Sequence, residues 1–326
     1  MTVVAARALR PLALVFAVLG LLTAQVWFAG PARAANVDVY DGIPATLAPN
    51  YPSLGYAATS TAEFGDLVEL GGTARDLQTI TVGFSSWACE SGSWNTTCTS
   101  APGATFTHPV TVNVYAEGVS PLSGALLATV TSTITAPYRP SADPTNCTTD
   151  PKQWFDATTS TCVNGVAFTA SFDFSALDVT LPDRVIVAIA YNTFTHGAAP
   201  LATGGPYDSL NVALASTAPA TGVDVDADAV FWNTTFAANY TDGGAAGTGV
   251  LRADTGWTPY SLLVDIVADD GTQLPTLADP GSSGGLPTLA ATGSEPSPFT
   301  LPAGLAAVLL GVVLVAIAPR RRAHRA

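Results

Sequence analysis

Val110-Thr111-Val112-Asn113-Val114-Tyr115 alternates apolar and polar side chains, and its β-branched residues favour extended backbone. This is the pattern of a strand with one face on a core and the other on water. Outward from it, comparable runs occupy Leu77 to Phe84, Leu126 to Ile134, Val166 to Phe174, Val185 to Tyr191, Leu210 to Ala215, Val230 to Phe236 and Leu262 to Val267. Turn clusters such as Ala101-Pro102-Gly103, Glu117-Gly118, Gly204-Gly205-Pro206 and Asp242-Gly243-Gly244 separate them. No segment between Ala35 and Ala268 combines helical spacing with caps. The pattern therefore predicts an all-β fold, an antiparallel β-sandwich or jelly roll over residues 35–268. The alternative is two smaller sandwiches parted between Ala136 and Asp156, where proline and cysteine concentrate. One domain is preferred, because each half would hold few strands.

The whole chain has 326 residues, 48% of them hydrophobic, and a formal net charge of −13. So apolar a chain can bury a core, which excludes disorder throughout. So acidic a chain repels phosphates, which excludes nucleic acid as a partner. The basic side chains concentrate at the ends. Residues 35–292 hold 24 acids against five bases, so the middle is more acidic than the total suggests.

The ends read as targeting segments. Arg7 and Arg10 precede an apolar run, and Ala32-Arg33-Ala34 supplies the small residues of a signal peptidase site. Residues 1–34 are read as a signal peptide cleaved between Ala34 and Ala35, with an uncleaved anchor as the alternative. At the other end, residues 299–318 carry no charge and are followed by Arg320, Arg321, Arg322 and Arg325. Twenty helical residues span about 30 Å, the thickness of a bilayer's hydrocarbon core. Arginines after such a helix hold that end in the cytoplasm, leaving residues 319–326 as a basic tail and the chain from Ala35 to Pro298 outside. Residues 269–298, rich in Gly, Pro, Ser and Thr, read as a flexible linker.

Within that linker stand Leu289-Ala290-Ala291-Thr292-Gly293 and a short polar spacer, and the apolar span and the arginine tail follow it in that order. Together they resemble the sorting signal of Gram-positive sortase substrates. Ala290 replaces the proline of the commonest form, which resembles the variant used with class E sortases of actinobacteria. The resemblance implies that a sortase thiolate attacks the Thr292 carbonyl, releases Gly293 onward, and passes Thr292 to a peptidoglycan amine. It covers only the C-terminal segment, and it makes the chain a substrate of catalysis. Leu274-Pro275-Thr276-Leu277-Ala278 recurs as Leu286-Pro287-Thr288-Leu289-Ala290, but only the second copy continues into Ala291-Thr292-Gly293.

Four cysteines, Cys89, Cys98, Cys147 and Cys162, all fall in the exported part, where an even count favours disulfides. Of the three pairings, Cys89 with Cys98 and Cys147 with Cys162 is preferred, because each closes one loop between neighbouring strands. Their spacing does not fit a zinc knuckle. His108 and His196 are the histidines left after processing, and no Gly-x-Ser-x-Gly elbow lies near either; Gly281-Ser282-Ser283-Gly284-Gly285 sits in the linker. The domain holds four glutamates, Glu63, Glu69, Glu90 and Glu117, without the clustering of some sandwich-fold glycosidases, which keeps a surface glycoside hydrolase as a distant alternative. No cofactor is expected. Asp224, Asp226 and Asp228 alternate like the start of a calcium loop but lack its glycine and closing glutamate, leaving Ca²⁺ as a weak candidate ligand.

Loop aromatics offer sugar-stacking surface: Trp87, Trp94, Trp154, Phe155 and Trp257 lie beside Cys, Gly or Pro clusters. Trp94 and Trp154 are the preferred exposed candidates. The sequence thus reads as a secreted, wall-anchored surface protein with a disulfide-stapled β-sandwich ectodomain for adhesion, structure or ligand capture. Sortase and peptidoglycan are its expected partners, and a glycan or surface protein its ligand. A carbohydrate-binding module is the main alternative, and an uncleaved single-pass membrane protein another.

Overall fold

A computed structural model describes residues 35–191 and 209–270 of the chain. Along them run eighteen strands. These are β1 (Val37–Asp41), β2 (Ser53–Gly55), β3 (Thr61–Glu69), β4 (Asp76–Ser86), β5 (Ser91–Gly92), β6 (Cys98–Thr99), β7 (Thr105–Ala116), β8 (Leu126–Pro137) and β9 (Trp154–Asp156). Then come β10 (Thr161–Val163), β11 (Val166–Asp173), β12 (Arg184–Ala190), β13 (Leu210–Ala215), β14 (Val223–Asp224), β15 (Ala229–Thr234), β16 (Arg252–Thr255), β17 (Ser261–Leu262) and β18 (Val264–Asp269). The α-helix among the described residues is one short turn, α1 (Tyr56–Thr59). No helix there is long and apolar enough to cross a membrane. The signal segment through Ala34, the linker from residue 271 and the apolar span 299–318 lie outside the described residues.

Fourteen of the strands form two seven-stranded antiparallel sheets, and β5 with β6 and β9 with β10 form two small hairpins. The first sheet runs β1-β18-β4-β13-β17, with β11 also on β4 and β2 on β13; the second runs β16-β15-β3-β12-β7-β8, with β14 on β3. They face each other across a shared core, as in a β-sandwich. Val110, Val112 and Val114 of β7 and Val185, Val187 and Ile189 of β12 point inward from one sheet. Leu77, Ile80, Val82 and Phe84 of β4 and Val264 and Ile266 of β18 meet them from the other. The alternation of Val110 to Tyr115 is thus explained: its valines are fully buried, and Thr111, Asn113 and Tyr115 take the outer face.

β12 reads as a continuous apolar run because it is buried on both faces. Ile186 and Ala188 turn outward, where Phe231 and Leu251 cover them in a second apolar cluster. Strand β3, which the hydrophobic pattern did not reveal, pairs with β12 on one side and with β15 and β14 on the other. Its Glu63, Gly65 and Asp66 break the alternation, and each has a tertiary reason. The Glu63 carboxylate accepts hydrogen bonds from Asn113 Nδ2 at 2.7 Å and Tyr115 Oη at 2.9 Å. Gly65 lies so close to β12 that a Cβ would stand 2.2 Å from the Val187 carbonyl oxygen. Asp66 accepts from the backbone of Leu67 and of Leu262, at the end of the opposite sheet.

Candidate functional site

At one end of the first sheet, the outer face of β4 continues past Ser85 to Trp87, and the chain then enters a small excursion closed by the Cys89–Cys98 disulfide. Strands β5 and β6 pair within it. The turn requires Gly92, whose φ is +80° and whose Cβ would collide with the Thr97 carbonyl. That constraint sets Trp94 at the loop tip against Trp87, with ring centroids 4.9 Å apart and planes at 80°. Both indoles are half-buried, so each keeps ring surface at solvent. Trp87 Nε1 donates to Ser85 Oγ at 3.0 Å, and that hydroxyl donates to Asn50 Oδ1 at 2.6 Å. Gly165 lets the chain pass over this group, since a Cβ there would stand 2.4 Å from Trp87 Nε1. The acid nearest in sequence, Glu90, accepts the N–H of Ala101, just past the loop, at 2.8 Å.

The second disulfide, Cys147–Cys162, ties the segment between β8 and β11, which holds the β9–β10 hairpin. Both pairings are those preferred from loop spacing. Trp154 departs from expectation. It is only 7% exposed, and its Nε1 donates to the Gly165 carbonyl at 2.8 Å, so the ring packs beneath the segment instead of offering a face to solvent. A tryptophan inside a disulfide-bounded segment has a local wall to bury against, and burial with its N–H satisfied wins over exposure. Phe155 is half-buried, opposite Cys162 in the hairpin. In the same segment Arg139 is fully buried, with Nη2 donating to the Lys152 carbonyl at 2.6 Å, and burial pulls its pKa down to about 10. Trp257 is half-buried against the core: it packs edge-on to Trp232 at 5.2 Å and donates to Asp254 Oδ2 at 2.9 Å.

The other candidates are not brought together. His108 lies inside β7, fully buried on the core face, with its ring edge-on to Tyr191 at 5.4 Å. Substrate cannot reach it there. His196 and the sorting motif, Leu289 to Gly293, lie outside the described residues. Asp224 is on β14, half-buried, with its pKa raised first by burial and then by Asp226. Asp226 Oδ1 accepts the Asp228 N–H at 3.3 Å, and Asp228 Oδ1 accepts from Thr258 Oγ1 at 2.9 Å, so these two acids serve the turn. Among the described residues no three Asp, Glu, His or Cys side chains converge as a metal site.

A cleft of about 280 Å³ opens on the second sheet, where β3 passes from β15 to β14 and the β7–β8 connection crosses over. Leu67, Leu122, Val225 and Phe231 give it an apolar lining, and Glu117 and Asp226 add acids. Asp66 also borders it, 2% exposed, its carboxyl held well above the usual range by burial and then by Asp224. Sequence reasoning missed this cleft, since its residues come from four separate segments. Against known proteins the chain matches no family model, no curated protein and no solved structure.

Proposed function

We propose that this chain is an exported surface protein, joined to the cell wall through Thr292 by a sortase, whose β-sandwich binds a neutral glycan through Trp87 and Trp94. The observation that carries the binding role is the half-buried edge-to-face indole pair, in which Trp94 of the disulfide-closed loop packs on Trp87 just before it. Apolar C–H faces of a pyranose stack on such rings, and the rigid loop lowers the entropy lost on binding. Asn50, half-buried and linked to Trp87 through the buried Ser85 hydroxyl, adds a neutral hydrogen-bonding group of the kind sugars use. The acidity of residues 35–292 favours uncharged over anionic glycans.

Two experiments test the two parts. Trp94→Ala weakens glycan retention by about tenfold or more, the loss of one aromatic anchor. Unchanged retention by that variant, or no glycan bound by the parent, removes the binding role. Thr292→Ala leaves the protein in the membrane and extractable by detergent. If that variant stays covalently bound to the wall, the sorting assignment is wrong.

A further inference from the structure

Strand β8 is the outermost of its sheet: it pairs with β7, and no strand among the described residues pairs with its other edge. Its 12 residues make an open edge about 40 Å long. Natural proteins blunt such edges with lysines, mid-strand prolines, bulges or short strands. Here Leu126–Pro137 carries no charged residue, its proline is the last residue, and its register irregularity lies at the opposite end, next to Leu126. Strand β7 beside it carries no Asp, Glu, Lys or Arg either. A chain of net charge −13 therefore keeps a neutral two-strand strip at one edge of the sandwich.

The backbone directions along β8 are fixed by its pairing. Tyr138 N donates to the Ala104 carbonyl at 3.0 Å, in register with Thr105 opposite Pro137. Even-numbered positions from Ala128 onward thus exchange backbone hydrogen bonds with β7, and odd-numbered ones turn N–H and C=O to the open edge. These are Thr129, Thr131, Thr133 and Thr135, and all four side chains are exposed on the outer face. A two-fold axis perpendicular to the sheet keeps outer face with outer face and sets odd positions against odd. With the axis at Thr131, that residue faces its own copy, and Thr129 of one chain faces Thr133 of the other. Side-chain face and backbone hydrogen-bonding direction are then satisfied by the same register.

We propose that β8 is a homotypic interface, through which two copies of this chain join edge to edge, antiparallel about Thr131, into one continuous sheet. The occupant is a second copy because like charge opposes close approach of two such acidic chains elsewhere, while this edge is neutral and complementary to itself. A contact made mainly by one strand lies at the small end of protein interfaces, so the association is reversible and must be trapped to be seen.

Cysteine cross-linking in the full chain tests this, because the four native cysteines are paired in two disulfides. Opposed residues in a hydrogen-bonded antiparallel pair have Cα atoms about 5.5 Å apart, within disulfide reach. Under mild oxidation with copper phenanthroline, Thr131→Cys gives a non-reduced dimer band roughly tenfold above that of Thr255→Cys, an exposed threonine on the opposite edge strand β16. Thr129→Cys mixed with Thr133→Cys gives a dimer that neither gives alone. Equal melting temperatures of parent and variants before oxidation, with the two native disulfides intact, show that each is folded. The proposal is overturned if Thr131→Cys stays monomeric, if Thr255→Cys dimerises equally, or if Thr129→Cys dimerises alone.

Discussion

Asp265 gives this fold a pH dependence that one substitution should erase. The residue lies on β18 directly opposite Asp41 of β1, and its Oδ1 accepts the N–H groups of Gly42 at 3.0 Å and Ile43 at 2.8 Å. Burial raises its pKa to about 6, and the charges of Asp41 and Asp38 add to this against the lowering effect of the two hydrogen bonds. A carboxyl that holds its proton more tightly when folded contributes stability in full below its unfolded value of 3.8, and loses it as pH rises through about 6. At about 1.36 kcal/mol per pH unit the interval between these values is worth about 3 kcal/mol at most. Solvent reaches one side of the carboxyl, which reduces this to about 1.5 kcal/mol. Asp265→Asn keeps the Oδ1 acceptor and removes the charge. It should therefore match the parent at pH 4 and exceed it at pH 7.5 by about 1.5 kcal/mol, or about 3 to 6 °C in melting temperature for a domain this size. Urea unfolding of the oxidised protein at both pH values is the assay. A variant less stable than the parent by the same amount at both pH values would refute the reasoning, because the hydrogen bonds would then outweigh the titration.

Further outcomes follow from packing. Trp154→Ala should cost about 3 to 5 kcal/mol in urea unfolding yet leave glycan retention unchanged at temperatures where the variant is folded, the reverse of Trp94→Ala. Replacing both Cys147 and Cys162 by Ser should lower unfolding free energy by about 3 kcal/mol, and Cys89 with Cys98 by slightly less, since the latter closes the shorter loop. Gly65→Ala forces β3 away from β12 and should cost more than about 3 kcal/mol by the same measurement. Gly72→Ala, with open space around its Cβ and only a φ of +59° against it, should cost about 1 kcal/mol.

The strands legible from the sequence are those whose two faces meet different surroundings, or whose two faces are both apolar. Val110 to Tyr115 alternates because β7 has core on one side and water on the other, and Val185 to Ile189 is continuous because β12 is covered on both. Strand β3 stayed hidden although it is central, because Glu63, Gly65 and Asp66 are placed by partners far along the chain: Asn113 and Tyr115, Val187, and Leu262. The disulfide pairing was readable because loop closure depends on short separations. The roles of the tryptophans were not. Trp94 and Trp154 both sit beside cysteines, yet Trp94 meets Trp87 at the surface and Trp154 is sealed under Gly165.

By itself, then, the sequence determined the all-β class, most of the strands and the acidic middle, because strand periodicity and charge are local properties of neighbouring residues. The tertiary structure decided that His108 is core, that Trp87 is Trp94's partner, that Asp66 lies buried beside a cleft, and that β8 is left with an unpaired neutral edge. Each of these depends on which distant segment lies opposite, and a strand's own pattern gives the face it buries but not the neighbour it meets.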